Sequence, residues 1–167
     1  HSEDVLAADT KDLLVRTVRF GDKTAAEALR PRIDVNAVNV EISILEFLNL
    51  AREYAHSRFP VIRDGIDNVV GQIDIATAFA VPLAERSSLS VEDVMAKPLV
   101  VPETKELVEV LADFQSHKTE LAVVVDEHGG TAGILTLEDV LEEIIGEVDD
   151  EYDESVHLTK GVSSGAF

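Results

Sequence analysis

Apolar positions change period along this chain, and the changes mark its elements. Ile44, Phe47, Leu48 and Ala51 fall three or four apart, which is the spacing of one helical face. Ser43 and Glu46 have the spacing of a capping box, so the pattern predicts a helix from Ile44 to about Ala55. Two strand-like runs follow at about 59–63 and 68–73, with the turn residues Asp64-Gly65 between them. A short helix near 75–80 is cut off by Pro82. The same order then returns. Leu99–Val101 reads as extended, and Leu107, Val110, Leu111 and Phe114 predict a helix from Thr104 to about Ser116. Strands at about 121–125 and 131–135 flank Asp126-Glu-His-Gly-Gly130, a turn rich in residues that tolerate positive φ. Leu137, Val140, Leu141, Ile144 and Ile145 predict a closing helix over 137–146.

The return is a repeat. Asp64 answers Asp126 and Gly71 answers Gly133, both at an offset of 62, whereas Ile44 answers Leu107 at 63. The step in offset predicts one extra residue in the first copy, between helix and strand. With an extended Asp34–Val40 at its start, each copy reads β-α-β-β-α. Two copies of one supersecondary unit predict an α/β (α+β) fold, packed sheet against sheet as a pseudo-twofold pair, with a cleft between the units that can hold a ligand. Ahead of them, Leu13, Leu14, Val15 and Val18 suggest a short helix over 10–20. Thr24 and Glu27 form a capping box for a brief helix stopped by Pro31. The expected division is an N-terminal segment over 1–21, a first repeat over 22–82, a linker over 83–89, a second repeat over 90–147 and an acidic tail over 148–167. The tail lacks periodicity and is expected to be disordered.

Charge and composition narrow the function. The net charge of −19, from 33 acidic and 14 basic residues, opposes nucleic acid and anionic lipid. A polyphosphate ligand would therefore need local cations, with Mg²⁺ as counter-ion. The chain has no cysteine, hence no disulfide frame and no thiolate nucleophile. No apolar run reaches the roughly 20 residues of a membrane span, and no signal-peptide pattern opens the sequence. The five histidines are not spaced as a metal pair, and no serine sits in a nucleophile elbow. No catalytic set emerges, so enzymatic activity is not expected.

The constellation with the most chemistry is Gly133-Ile-Leu-Thr136-Leu-Glu-Asp139. Gly133 would let backbone approach a ligand, Thr136 opens a helix whose free N–H groups favour a phosphate, and Asp139 could accept two hydrogen bonds from a ribose diol. The same Thr-x-x-Asp spacing is also a capping box, like Thr24/Glu27 and Ser43/Glu46, and both readings stand at this level. The first copy has Asp74 and Thr77 at the matching positions. An Asp74 carboxylate repels phosphate, and Thr77 lacks a charged acceptor for a diol. One nucleotide per chain is expected, in the second-copy cleft. The acidic run from Glu138 to Glu154 holds ten carboxylates without the order of a calcium loop, and reads as a solvated linker.

Paired β-α-β-β-α units with Gly-h-h-Thr-x-x-Asp before the last helix resemble a tandem cystathionine-β-synthase (CBS) domain pair. His56-Ser-Arg-Phe-Pro60, Asp126-Glu-His-Gly-Gly-Thr-Ala-Gly133 and Thr136-Leu-Glu-Asp-Val-Leu-Glu-Glu-Ile-Ile-Gly-Glu147 narrow the resemblance to the CorC/HlyC (hemolysin C-like) family, to which cyclin M transporters are more distantly similar. His128 departs from the Tyr usual there. The resemblance implies a regulatory module that binds ATP or another adenosine nucleotide (ADP, AMP) and forms a homodimer. It also implies a place on the cytoplasmic side of the cell membrane, attached to a membrane domain for Mg²⁺ or Co²⁺ efflux and to a small C-terminal domain. It adds Ser57 and Arg58 as candidate phosphate contacts, with Lys118 and Thr119 as their second-copy equivalents. It adds Val101, beside Val100 and Pro102, as the slot for the base. The competing expectation is a structural dimerisation module with no ligand.

Overall fold

Two sheets of like construction carry the duplication in this computed structural model, which describes residues 22–146. The segment over 1–21 with its expected helix, and the acidic run and tail after residue 146, lie outside the described residues. A one-turn helix α1 (Ala25–Ala28) and a short strand β1 (Arg30–Pro31) come first. The first copy then runs β2 (Val38–Asn39), α2 (Ile44–Ala51), β3 (Arg58–Ile62), β4 (Val69–Asp74) and α3 (Ile75–Phe79). After α4 (Val91–Val94), the second copy runs β5 (Leu99–Pro102), α5 (Leu107–His117), β6 (Leu121–Val125), β7 (Thr131–Thr136) and α6 (137–146). In each copy the first strand pairs parallel to the second, and the second antiparallel to the third. The expected β-α-β-β-α order is observed twice.

Each copy has its own core. The helical faces read from the sequence are the buried ones: Ile44, Phe47, Leu48 and Ala51 in α2, and Leu107, Val110, Leu111 and Phe114 in α5. Phe59 in β3 anchors the first core, with its ring edge-on to Phe47 at 5.5 Å. The opposite faces of the strands meet each other. Pro60, Leu121, Val123 and Ile134 are buried there, and β3 lies against β6. The copies are thus packed sheet against sheet.

The leading helices are exchanged between copies. Ala25 of α1 is buried in the second core, and Val91 of α4 in the first. Backbone bonds fix both exchanges: Ala25 N–H donates to the Lys105 carbonyl (2.8 Å), and Val91 N–H to that of Ile42 (2.9 Å). The divisions 22–82 and 90–147 therefore separate sequence repeats but not the two cores. The exchange extends to the sheets. Arg30 and Pro31, expected at a helix end, form β1 and pair antiparallel with Ile134 and Gly133 of β7. In the other copy Ala96 bridges to Gln72 of β4.

The extra residue of the first copy is not between helix and strand. Val61 faces Gly71, and Val124 faces Gly133, so the strands β3 and β6 keep the same offset of 63 as the helices. The step to 62 occurs in the turns: Arg63 N–H closes the first on the Asn68 carbonyl, and Asp126 N–H closes the second on that of Gly130. Arg63, not Asp64, holds the place of Asp126. The longer turn accommodates its residue through left-handed Asp64 (φ 62°) and Gly65 (φ 127°).

Candidate functional site

Thr136 closes β7 and Asp139 lies in the first turn of α6. Each side chain serves the other's backbone: Asp139 N–H donates to Thr136 Oγ1 (3.1 Å), and Thr136 N–H to Asp139 Oδ2 (3.3 Å). The capping box is real. It occupies one carboxylate oxygen, and Asp139 Oδ1 has no hydrogen bond among the described residues. Capping and gripping a hydroxyl are therefore compatible in this side chain. Both residues are partly exposed.

β1 gathers further groups on this side. Arg30 pairs with Ile134, two residues before Thr136, and its guanidinium meets His56 Nε2 at 3.2 Å. His56 precedes Ser57, so the Arg30–His56 contact ties the start of β3 to the strand carrying Thr136. Sequence reasoning missed Arg30. The signal was Pro31, which drives the preceding residue into extended backbone and out of a helix.

Arg58 opens β3 opposite Asp74 and pairs with Glu120 at 2.5 Å, while Nη1 donates to Ser57 Oγ (3.4 Å). Glu120 in turn accepts the Leu137 N–H on its carbonyl (2.9 Å). The Arg58–Glu120 pair thus links the entrance strands of the two copies. Ser57 is exposed and Arg58 half-buried.

Two expectations change. Val101 is 1 % exposed and sealed in the second core, so it offers no slot for a base. Strand alternation is the reason: Leu99 and Val101 point inward, while Val100 points to solvent. The close approach at Gly133 is to the chain itself, because the space of a Cβ is taken by the Arg30 carbonyl oxygen.

A cavity of about 820 Å³ lies not at Thr136 and Asp139 but on the first-copy side, where the sequence had argued against a nucleotide. Asp74, Thr77, Gln72 and Arg58 line it with Lys97 and Lys118. Asp74 caps α3 by accepting the Thr77 N–H (2.6 Å). Among the described residues, no cluster of three or more His, Asp or Glu side chains could hold a metal ion, and no helix is long and apolar enough to cross a membrane.

Two β-α-β-β-α units, packed through their sheets with a Thr-x-x-Asp cap at the second cleft, define a pair of CBS domains, and the family model described as CBS domain matches residues 91–146. Hemolysin C of Brachyspira hyodysenteriae is 35% identical over 157 residues, 94% of this chain and 58% of that protein. The magnesium and cobalt efflux protein CorC of Escherichia coli K12 is 34% identical over 151 residues, 90% of this chain and 52% of that protein. The chain spans about half the length of the curated relatives it matches. The solved CBS domain of a bacterial CNNM/CorC family Mg²⁺ transporter matches with TM-score 0.75 at 32% identity, over 80% of this chain and 82% of that one. A structure of such a domain in complex with ATP matches with TM-score 0.75 at 32% identity, over 83% of this chain and 98% of that one. The chain belongs to the CNNM/CorC family, in which it corresponds to the CBS domain.

Proposed function

We propose that this chain is a regulatory module that binds an adenosine nucleotide, ATP with Mg²⁺, in the second-copy cleft. Occupancy would control an attached membrane domain for Mg²⁺ or Co²⁺ efflux from the cytoplasmic side. The carrying observation is the likeness to a family CBS domain in complex with ATP, which the chain covers over 98% of its length. The geometry agrees with that reading. Asp139 Oδ1 is free to accept from a ribose hydroxyl, and Thr136 opens α6, whose N-terminal dipole favours an anion. Ser57, Arg58 and Arg30 supply the hydroxyl and cations that phosphates need in an acidic chain. Gly133 serves the fold beneath them. Mg²⁺ would enter with the phosphates, as a hard cation on hard oxygens. A nucleotide bridging the two copies favours the arrangement that fits it better, and that population shift is the signal. Phe79 on α3 and Ile145 on α6 are more than half exposed and would meet a second copy in a homodimer.

The reciprocal cap at Thr136 and Asp139 favours one competing reading, a structural dimerisation module in which the pair only holds a helix end. Thermal melts with ATP, with Mg²⁺, with both and with neither decide between them. Ligand at 100 times its dissociation constant adds about 2.7 kcal/mol, a rise of roughly 5–10 °C for a domain of this size. Asp139→Ala should remove that rise while costing only about 1 kcal/mol as a lost cap partner. A melting temperature indifferent to every adenosine nucleotide would leave the dimerisation module standing.

A further inference from the structure

The last helix keeps one face clear of the core. Val140 and Ile144 of α6 are buried, while Glu138, Leu141, Glu142 and Ile145 share a second face at the i, i+3, i+4 and i+7 spacing. Ile145 is more than half exposed and Leu141 half-buried. Glu138 and Glu142 have no ion pair among the described residues. The face is an apolar stripe edged by two carboxylates. The start of the described chain lies beside it: Lys23 pairs with Glu143 of α6, and its carbonyl accepts the Leu107 N–H (2.9 Å). Residues 10–20, outside the described residues, join the fold at that point. The helix expected there places Lys11, Leu14, Val15, Val18 and Arg19 on one face. In a chain of net charge −19, this segment carries Lys11, Arg16 and Arg19 against Asp12 alone.

We propose that residues 10–20 dock as a helix on this face of α6, with Leu14, Val15 and Val18 over Leu141 and Ile145, and with Lys11 and Arg19 against Glu138 and Glu142. A helix this short is marginal alone in water, so its apolar face needs a surface to cover. The connection reaches. Val18 is five residues from Lys23, a span of up to about 17 Å, and Ile145 is two residues past Glu143, a rise of about 3 Å. The sign of the charge selects the occupant. A second copy presenting the same face would bring its own Glu138 and Glu142 against these carboxylates, whereas the segment brings cations. The segment and a second copy cannot both hold Ile145, so the homodimer contact at α6 requires the segment to be released.

The chain has no cysteine, so introduced pairs report proximity without interference. In the full chain, Ile145→Cys is combined with one further cysteine at a time, replacing Leu14, Val15, Arg16, Thr17 or Val18, and each variant is oxidised in dilute solution. A disulfide needs Cβ atoms within about 4.5 Å. The intrachain bond should therefore form fastest from Leu14, Val15 or Val18, and slowly from Arg16 and Thr17, which lie on the opposite face. Lys11→Glu with Arg19→Glu should slow it by roughly threefold or more at low salt, the scale of two surface ion pairs. Adding Glu138→Lys with Glu142→Lys should restore the rate. Ile145 is exposed, so the fold should survive, and a melt of each variant checks it. Disulfides formed only between copies would make a second copy the occupant and overturn the proposal. Equal intrachain rates from all five positions, no bond at all, or a rate indifferent to the charge reversal overturn it too. The ATP-dependent rise in melting temperature is read separately, so failure of either test leaves the other conclusion standing.

Discussion

Gly133 of β7 lies directly under the backbone carbonyl of Arg30 in β1. A Cβ at Gly133 would overlap that oxygen, and backbone cannot swing aside as a side chain can. Gly133→Ala must therefore lift β1 off the sheet edge. The expected cost is about 2–4 kcal/mol by urea denaturation. Gly71 is the repeat counterpart. A Cβ there would meet the flexible Met95 sulfur at 2.5 Å and the Ala96 carbonyl at 2.9 Å. Gly71→Ala should cost less, about 1–2 kcal/mol. A Gly133→Ala chain within about 0.5 kcal/mol of the parent would show that the β1 exchange is not needed.

Asp67 joins three segments. Its carboxylate accepts from Arg32 at 2.7 and 3.2 Å and from the Thr131 N–H at 3.1 Å, so the turn of the first copy is held beside β7 of the second. The Arg32 hydrogen bond, then that of Thr131, holds the Asp67 carboxyl below its ordinary value. A group lowered on folding stabilises above its unfolded pKa of about 4, and the contribution is lost as pH falls through the folded value. The melting-temperature gap between the parent and Asp67→Asn should be full at pH 6 and close progressively below about pH 4. A gap constant down to pH 2 would mean that the carboxylate charge contributes nothing.

The sequence reading succeeded where the signal is local. The apolar faces of α2 and α5 and the Thr136–Asp139 cap each depend on residues three or four apart, and all of them appear in the fold. It failed where partners are distant in sequence. Nothing near Arg30 names Ile134 as its strand partner, and nothing near Val91 names the first core. The repeat itself misled at the turns. Asp64 and Asp126 match as letters, but the closing hydrogen bonds put Arg63 in the place of Asp126. Val101 was legible and overlooked, since alternation already set Val100 outward and Val101 inward. Likewise nothing near Lys97 in the second repeat shows that Gln72 of the first copy holds its carbonyl and the Thr119 hydroxyl together.

Glu103 is the converse of Asp67. The Glu103 N–H donates to the Val125 carbonyl (3.0 Å), which sets its side chain beside the β6–β7 turn. Its carboxyl is raised above the ordinary range, first by a hydrogen bond with Glu127, then by desolvation and by the charges of Glu127 and Asp126. A group raised on folding contributes fully below its unfolded pKa, and the contribution is lost as pH rises through the folded value. At pH 7 two carboxylates face each other. Glu103→Gln replaces one with an amide donor and should melt higher than the parent at pH 7. The two should converge below about pH 4, where Glu103 itself is protonated. A variant that melts lower at pH 7 would contradict the assignment.

The Arg58–Glu120 pair restrains a cation that the proposed nucleotide site needs. At 2.5 Å the carboxylate competes with any phosphate for the guanidinium, and the half-buried setting weakens solvent screening. Removing the competitor should help the ligand. Glu120→Gln should bind ATP roughly three- to tenfold more tightly at low salt. The gain should shrink as ionic strength rises, because the freed charge is partly exposed. Arg58→Ala should weaken ATP binding, and in that background Glu120→Gln should give no gain. Stability separates this from a packing effect: the Glu120→Gln chain without ligand should melt close to the parent, since a partly exposed ion pair contributes only about 0–1 kcal/mol. If Glu120→Gln leaves ATP affinity unchanged while Arg58→Ala also does, the arginine is only a strut between the two copies, and phosphate recognition must rest on Arg30 and Ser57.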